Sequence, residues 1–154
     1  MDIDAMKFAR QFAFSAALMV LVAGHAHALE FKTIGANPAV MYDAPSERGR
    51  KIFIAPRGMP VEIVLVYGDW SKVRDVAGDL NWVESKVLSP KRNVVVKVPN
   101  AKVRTSADDS ASIVFSADRG LILERLDSAA SSWVKVKHRD GLIGFVKAVD
   151  VWGE

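Results

Sequence analysis

From Val61 onward apolar and polar residues alternate in short runs, and no long stretch carries the 3.6-residue period of a helix. Val61, Ile63, Leu65 and Tyr67 fall on one face of a strand and Glu62, Val64 and Val66 on the other, before Gly68-Asp69 turns the chain. Ser71, Val73 and Asp75 oppose Trp70, Lys72 and Arg74 on the next strand. Ala77-Gly78-Asp79 then leads into Asn81-Trp82-Val83. The pattern recurs further on. Leu121 to Leu126 reads as a strand and Asp127 to Ser132 as a small polar loop. Val134, Val136 and His138 oppose Trp133, Lys135 and Lys137, Arg139-Asp140-Gly141 is a tight turn, and Ile143 to Val146 returns. Val94 to Val98 is a further strand, which this reading assigns to the end of the first unit.

The recurrence has a fixed offset. Trp70 to Trp133, Gly78 to Gly141 and Trp82 to Phe145 each span 63 positions (133−70, 141−78, 145−82). A long constant offset between matching residue types signals internal duplication. Short strands at regular spacing with glycine turns then predict an all-β chain of two tandem, small antiparallel barrels, over residues 39–98 and 99–154, after a short segment 29–38. Each unit opens with a longer polar loop, Asp43 to Lys51 in the first and Thr105 to Ser110 in the second. Units of about 60 residues are individually marginal, so packing between them is expected.

The first 28 residues have a different character. Lys7 and Arg10 precede an apolar run from Phe12 to Ala23, and Ala26-His27-Ala28 is a small-x-small cleavage site. That order predicts a helical secretory signal peptide, with the mature chain beginning at Leu29. The run falls short of the roughly 20 residues a spanning helix needs. Asp2 and Asp4 sit poorly in a positive leader, which makes Met6-Lys7 the better start. Cleavage leaves 154−28 = 126 residues, and the net charge stays at +3 because two basic and two acidic residues leave together. So mild and mixed a charge is unlike a nucleic-acid-binding surface, and export removes such a partner as well. The chain has no cysteine, which excludes disulfides, a thiolate nucleophile, cysteine–zinc sites and lipid anchoring at the cleavage site. A soluble periplasmic or extracellular protein is expected, with no stable membrane insertion after cleavage.

Candidate chemistry is sparse. There is no Gly-x-Ser-x-Gly elbow, His-Glu-x-x-His or phosphate-binding glycine loop. His138, the only mature histidine, has no evident nucleophile or orienting partner and reads as a structural residue beside a turn. Asp108, Asp109 and Asp140 lack the spacing of a calcium loop. No enzyme activity, cofactor or metal is expected. Trp70 shares a strand face with Lys72 and Arg74, and Trp133 with Lys135 and Lys137. Cations on the same face predict that both indoles are partly exposed, while Val73 and Val136 point inward. Such indoles can stack on sugar or peptide planes beside cations that pair carboxylates. The alternative is that Trp70 and Trp133 cover a barrel end or seal one unit on the other. The arginines and lysines at 48, 50, 51, 91 and 92 read as solvated loop charges.

The order of parts resembles the bacterial Src-homology-3-like (SH3b) domain. That family shows an opening strand with an Arg, a long polar loop, a Gly before a strand, Trp-x-x-Val, a Gly turn and Gly-Trp-Val. The second unit is similar throughout, in Val103-Arg104, Ala107-Asp108-Asp109, Gly120, Trp133 to Val136, Asp140-Gly141 and Gly144-Phe145-Val146, with Phe145 in place of Trp. The first has Gly58, Trp70 to Val73, Gly78 and Trp82-Val83, with Asn81 in place of Gly and Tyr42-Asp43-Ala44-Pro45 in place of the Arg opening. The resemblance implies a non-catalytic envelope module that binds peptidoglycan or a peptide or protein partner. Tyr42 and Trp70 resemble the aromatic pair of the peptide groove in eukaryotic relatives of the fold. The expected ligand-binding residues are Tyr42, Trp70, Lys72, Arg74, Trp133, Lys135 and Lys137. The alternative function is a structural or adaptor protein of the envelope.

Overall fold

The computed structural model describes residues 29–127 and 132–154. The expected signal peptide lies outside the described residues. Among the described residues, fourteen strands form two antiparallel sheets of seven, in line with the all-β expectation. The first comprises β1 (Glu30–Ile34), β2 (Ala39–Tyr42), β3 (Lys51–Ala55), β4 (Pro60–Tyr67), β5 (Trp70–Arg74), β6 (Leu80–Glu84) and β7 (Leu88–Ser89). The second comprises β8 (Asn93–Val96), β9 (Ala101–Arg104), β10 (Ile113–Ala117), β11 (Ile122–Arg125), β12 (Trp133–Lys137), β13 (Ile143–Lys147) and β14 (Val151–Trp152). Strand order is 3-2-6-5-4-1-7 in one and 10-9-13-12-11-8-14 in the other, the same topology shifted by seven. Single 3₁₀ turns, Ser85–Val87 and Ala148–Asp150, precede β7 and β14.

The strand at 94–98 needs correction. It begins at Asn93 and belongs to the second sheet, where Val95 pairs with Ile122 of β11 and with Trp152 of β14. Its counterpart in the first sheet is β1, inside the segment 29–38 that the sequence reading left unassigned. Thr33 of β1 pairs with Pro60 of β4 and with Ser89 of β7. Only Pro90-Lys91-Arg92 separates the two modules.

The duplication reaches the cores. Ile34, Ala39, Met41, Ala55 and Val61 fill the first, and Val96, Ala101, Val103, Ala117 and Leu123 stand 62 positions later in the second. Val73 and Val83 are matched by Val136 and Val146 at an offset of 63. The step from 62 to 63 places one additional residue in the second module's connection between β11 and β12. Six strands contribute to the first core, so each sheet folds over its own apolar interior.

The long loops repeat as well. Asp43 N donates to Arg50 O at 3.1 Å, and Thr105 N to Ser112 O at 2.9 Å. Gly49 N donates to Ser46 O and Ala111 N to Asp108 O, again 62 apart. At the β5–β6 and β12–β13 turns, Gly78 and Gly141 have φ of +93° and +91°, the left-handed region that favours glycine.

One strand departs from simple alternation. A bulge between Ile63 and Leu65 shifts the register of β4 against β5. Beyond it Val64, Leu65, Val66 and Tyr67 are all exposed, because this end of the hairpin extends past the core.

Candidate functional site

Alternation on β5 and β12 sorts the side chains as the sequence implies. Ser71 and Val73 are buried between half-buried Trp70, Lys72 and Arg74. Val134 and Val136 are buried between half-buried Trp133, Lys135 and Lys137. In the first module, register aligns a row across the outer face: Tyr42 pairs with Trp82, Trp82 with Lys72, and Lys72 with Leu65. Directly paired residues share a face and interact. The Lys72 ammonium lies 5.9 Å from the Trp82 ring, a cation–π contact. Trp70 meets Tyr42 edge to face at 5.4 Å and 87°. Tyr42 is 8% exposed, so the aromatic surface of this face comes from half-buried Trp70 and Trp82 and from Tyr67, which pairs in register with Trp70 and is 67% exposed.

Arg74 has a partner. Its Nη1 donates to both oxygens of buried Glu62, at 3.1 and 2.9 Å, which ties β5 to β4. The Asp43 carboxylate accepts from Arg50 N at 2.8 Å and pairs with Arg50 Nε at 3.4 Å, closing the adjoining loop.

The second module repeats the design with different side chains. Arg104 stands where Tyr42 does and pairs in register with Phe145, which pairs with Lys135. The Lys135 ammonium lies 5.9 Å from the Phe145 ring, and Lys147 lies 5.7 Å from the Trp133 ring. Arg104 donates from Nη1 to Ala111 O at 2.8 Å, holding the loop that module one closes with Asp43. Lys147 also pairs with Asp109 of that loop at 2.7 Å. The Ser110 hydroxyl and amide, at 2.7 and 2.6 Å, hold the Asp108 carboxyl below the usual carboxylate range.

Lys137 separates from Trp133 and Lys135. It pairs in register with Glu124, as Arg74 does with Glu62, but Glu124 forms its ion pair with Lys91 of the linker at 3.1 Å. Lys137 therefore faces the space between the modules, beside His138 and Arg139. His138 is turn-adjacent: its Nδ1 accepts from Asp140 N at 3.3 Å, and its ring lies 5.5 Å from Phe115. Among the described residues no three His, Cys, Asp or Glu side chains gather as a metal ion requires, and no helix is long and apolar enough to cross a membrane.

The aromatic contact between the modules is made by residues the sequence reading did not single out. Phe31 of β1 meets Trp152 of β14 edge to face at 5.0 Å and 88°. The Arg92 guanidinium lies 5.7 Å from the Phe31 ring and donates to Gly153 O at 3.3 Å. Burial, and then the charge of Arg125, push the Arg92 guanidinium below its ordinary pKa. Asn93 Nδ2 donates across the junction to Gly58 O at 2.8 Å. Phe31 and Trp152 lie in short terminal strands with no motif around them, so only tertiary packing identifies them.

The family model for the bacterial SH3 domain matches residues 35–90 and again 97–153. No curated protein matches the chain. Among solved structures, it is similar to NlpC2 and NlpC1 from Trichomonas vaginalis, at 13% and 12% identity and a TM-score of 0.38 in both cases. The match covers 82% and 90% of this chain, which spans about half the length of each of those proteins (49% and 50%).

Proposed function

From the premise that the chain belongs to the bacterial SH3 domain family, in both of its halves, we propose that it is a non-catalytic exported protein of the cell envelope that binds peptidoglycan. The observation that carries this reading is the outer face of module one, where half-exposed Trp70 stands against Tyr42 and Lys72 lies over Trp82. Indoles at a surface with a cation in the same row suit a ligand that combines sugar planes with peptide carboxylates. Module two supplies a second face of the same kind through Trp133, Lys135 and Phe145. Arg74 serves that face as a positioning residue, fixed by Glu62.

Export follows from the leader of residues 1–28 and predicts a mature chain beginning at Leu29 in the soluble extracytoplasmic fraction. Mass spectrometry of the N-terminus checks it, and an intact leader on membrane-bound protein refutes it. The binding test is co-sedimentation of the mature chain with purified sacculi. Trp70→Ala is expected to reduce the bound fraction several-fold while the chain stays folded. Unchanged binding in Trp70→Ala and in Trp133→Ala would reject the platform. The second reading, an envelope adaptor that recruits a protein, draws on the exposed apolar end of β4 from Val64 to Tyr67. It predicts no sedimentation with sacculi by the wild-type chain.

A further inference from the structure

An open cleft of about 1070 Å³ runs between the modules. Module one contributes the turn around Arg57 and Gly58 that follows β3. Module two contributes the turn at Gly120 and the end of the β12–β13 hairpin, Lys137 to Arg139. Asn93 stands in the wall, where its bond to Gly58 O joins the two modules.

The charge lining the cleft is one-sided. Arg57, Lys91, Lys137 and Arg139 face a single carboxylate, Glu124, which Lys91 already occupies at 3.1 Å. Just outside, Asp140 lies beside His138 at 3.2 Å and, more loosely, beside Arg139 at 3.9 Å. Among the described residues no carboxylate lies within ion-pair distance of Arg57 or Lys137. The contrast with module one is informative. There the same register position holds a closed Glu62–Arg74 pair, whereas in module two Glu124 turns to the linker and leaves the Lys137 ammonium to the cleft. Low-dielectric walls between like charges concentrate positive potential and attract anions.

The walls are not merely cationic. Pro56, Leu121 and Ile122 also line the space. Asn93, 8% exposed, stands among them. Its amide is held in orientation by the bond to Gly58 O. Apolar walls beside unpaired cations suit a peptide better than a bare anion.

We propose that the inter-module cleft binds a short acidic peptide segment, its carboxylates taken by Arg57 of one module and by Lys137 and Arg139 of the other. This site is separate from the tryptophan faces and does not depend on them.

The test uses the whole mature chain and the probe N-acetyl-Ala-Glu-Ala-Glu with a free C-terminal carboxylate. Amide NMR shifts and calorimetry follow the titration at about 50 mM salt, where surface charge is weakly screened. Saturable binding is expected, with shifts centred on Gly35, Gly58, Gly120 and Arg139. The glutamine analogue with an amidated terminus should bind about tenfold more weakly or not at all, because charge-assisted pairing is lost. Arg57→Gln with Lys137→Gln should weaken the acidic probe about tenfold. Arg48→Gln with Lys97→Gln, exposed cations outside both the cleft and the tryptophan rows, form the outer-face control and should not. No saturation, an unaffected cleft variant, or equal loss in the outer-face control overturns the proposal. So does inorganic phosphate that shifts the same amides as strongly at the same concentration, since that describes an anion site without peptide selectivity. Sacculus sedimentation reads the tryptophan faces independently, so either reading can fail while the other stands.

Discussion

At Gly144 the close approach of two strands, rather than a special dihedral, demands glycine. A Cβ there would stand 2.6 Å from Arg104 O and 2.7 Å from Val103 Cγ1. The backbone oxygen cannot move without disturbing β9, so Gly144→Ala is expected to cost roughly 1–3 kcal/mol by overpacking. Urea denaturation measures it, and a loss under about 0.5 kcal/mol, the range of neutral surface changes, would contradict the argument. Module one carries buried Asn81 at the equivalent point, so the demand comes from this local approach and not from the fold as such. Burial sets a second contrast, between Val136 and Trp133. Val136 is fully buried in the core, while Trp133 is half-buried with the Lys147 ammonium over its ring. Val136→Ala is expected to cost about 2–3 kcal/mol, from two lost methyl groups and the cavity they leave. Trp133→Ala should cost less despite its greater volume. Thermal denaturation of the two variants side by side decides, and the reverse order would place the indole in the structural core.

At the level of strands, one register position yields two kinds of ion pair. Glu62 and Arg74 face each other across β4 and β5, with the Glu62 side chain 11% exposed. Glu124 and Lys91 are both well exposed, at 38% and 55%. Glu62→Gln is therefore expected to destabilise the chain by about 1–3 kcal/mol, since it weakens a bidentate bond to a nearly buried group. Glu124→Gln should cost about 0–1 kcal/mol, as exposed pairs do. Equal losses in denaturant titrations would mean that exposure does not govern these pairs. The same scale bounds what the sequence disclosed. Strands β5, β6, β12 and β13 were legible because one face of each is buried and Trp-x-x-Val-type spacing repeats at 63. Strand β8 was misassigned because all four of its residues are buried, which erases the alternation that identifies a face. Its partner strands also lie later in the chain. Strand β1 was missed for a related reason: without its duplicate recognised, Glu30–Ile34 had no pattern to match. The shared face of Trp133 and Lys135 was readable from alternation and the Tyr42–Trp70 pair only from the family resemblance, but the choice of Glu124 for Lys91 over Lys137 is a tertiary event.

For the molecule as a whole, the open question is whether two marginal modules behave as one. Each core is built from about the same few aliphatic side chains, and domains of this size bury too little surface to be robust alone. The junction must then contribute. Phe31 is 7% exposed, covered by Trp152 at 5.0 Å and by the Arg92 guanidinium at 5.7 Å. Gly153 beside it has a φ of +109°, and a Cβ there would meet Asn93 O at 2.7 Å and Pro60 of the other module at 3.0 Å. The C-terminal strand is thus seated closely on module one. The indole is half-buried, so Trp152→Ala is expected to cost about 2–3 kcal/mol, below the range for a fully buried aromatic. The more telling consequence is in cooperativity. Coupled modules unfold in one transition whose calorimetric and van't Hoff enthalpies agree. With the indole gone, the calorimetric enthalpy should exceed the van't Hoff value, or the heat-capacity peak should divide in two. A chain that loses stability but keeps a single two-state transition would show that the Asn93–Gly58 bond and the short linker couple the modules without Trp152. In that outcome the cleft between them would keep its geometry, and acidic-peptide binding should survive the substitution. If the transition divides, the cleft walls lose their fixed spacing, and binding should weaken in the same variant even though every cation lining the cleft remains.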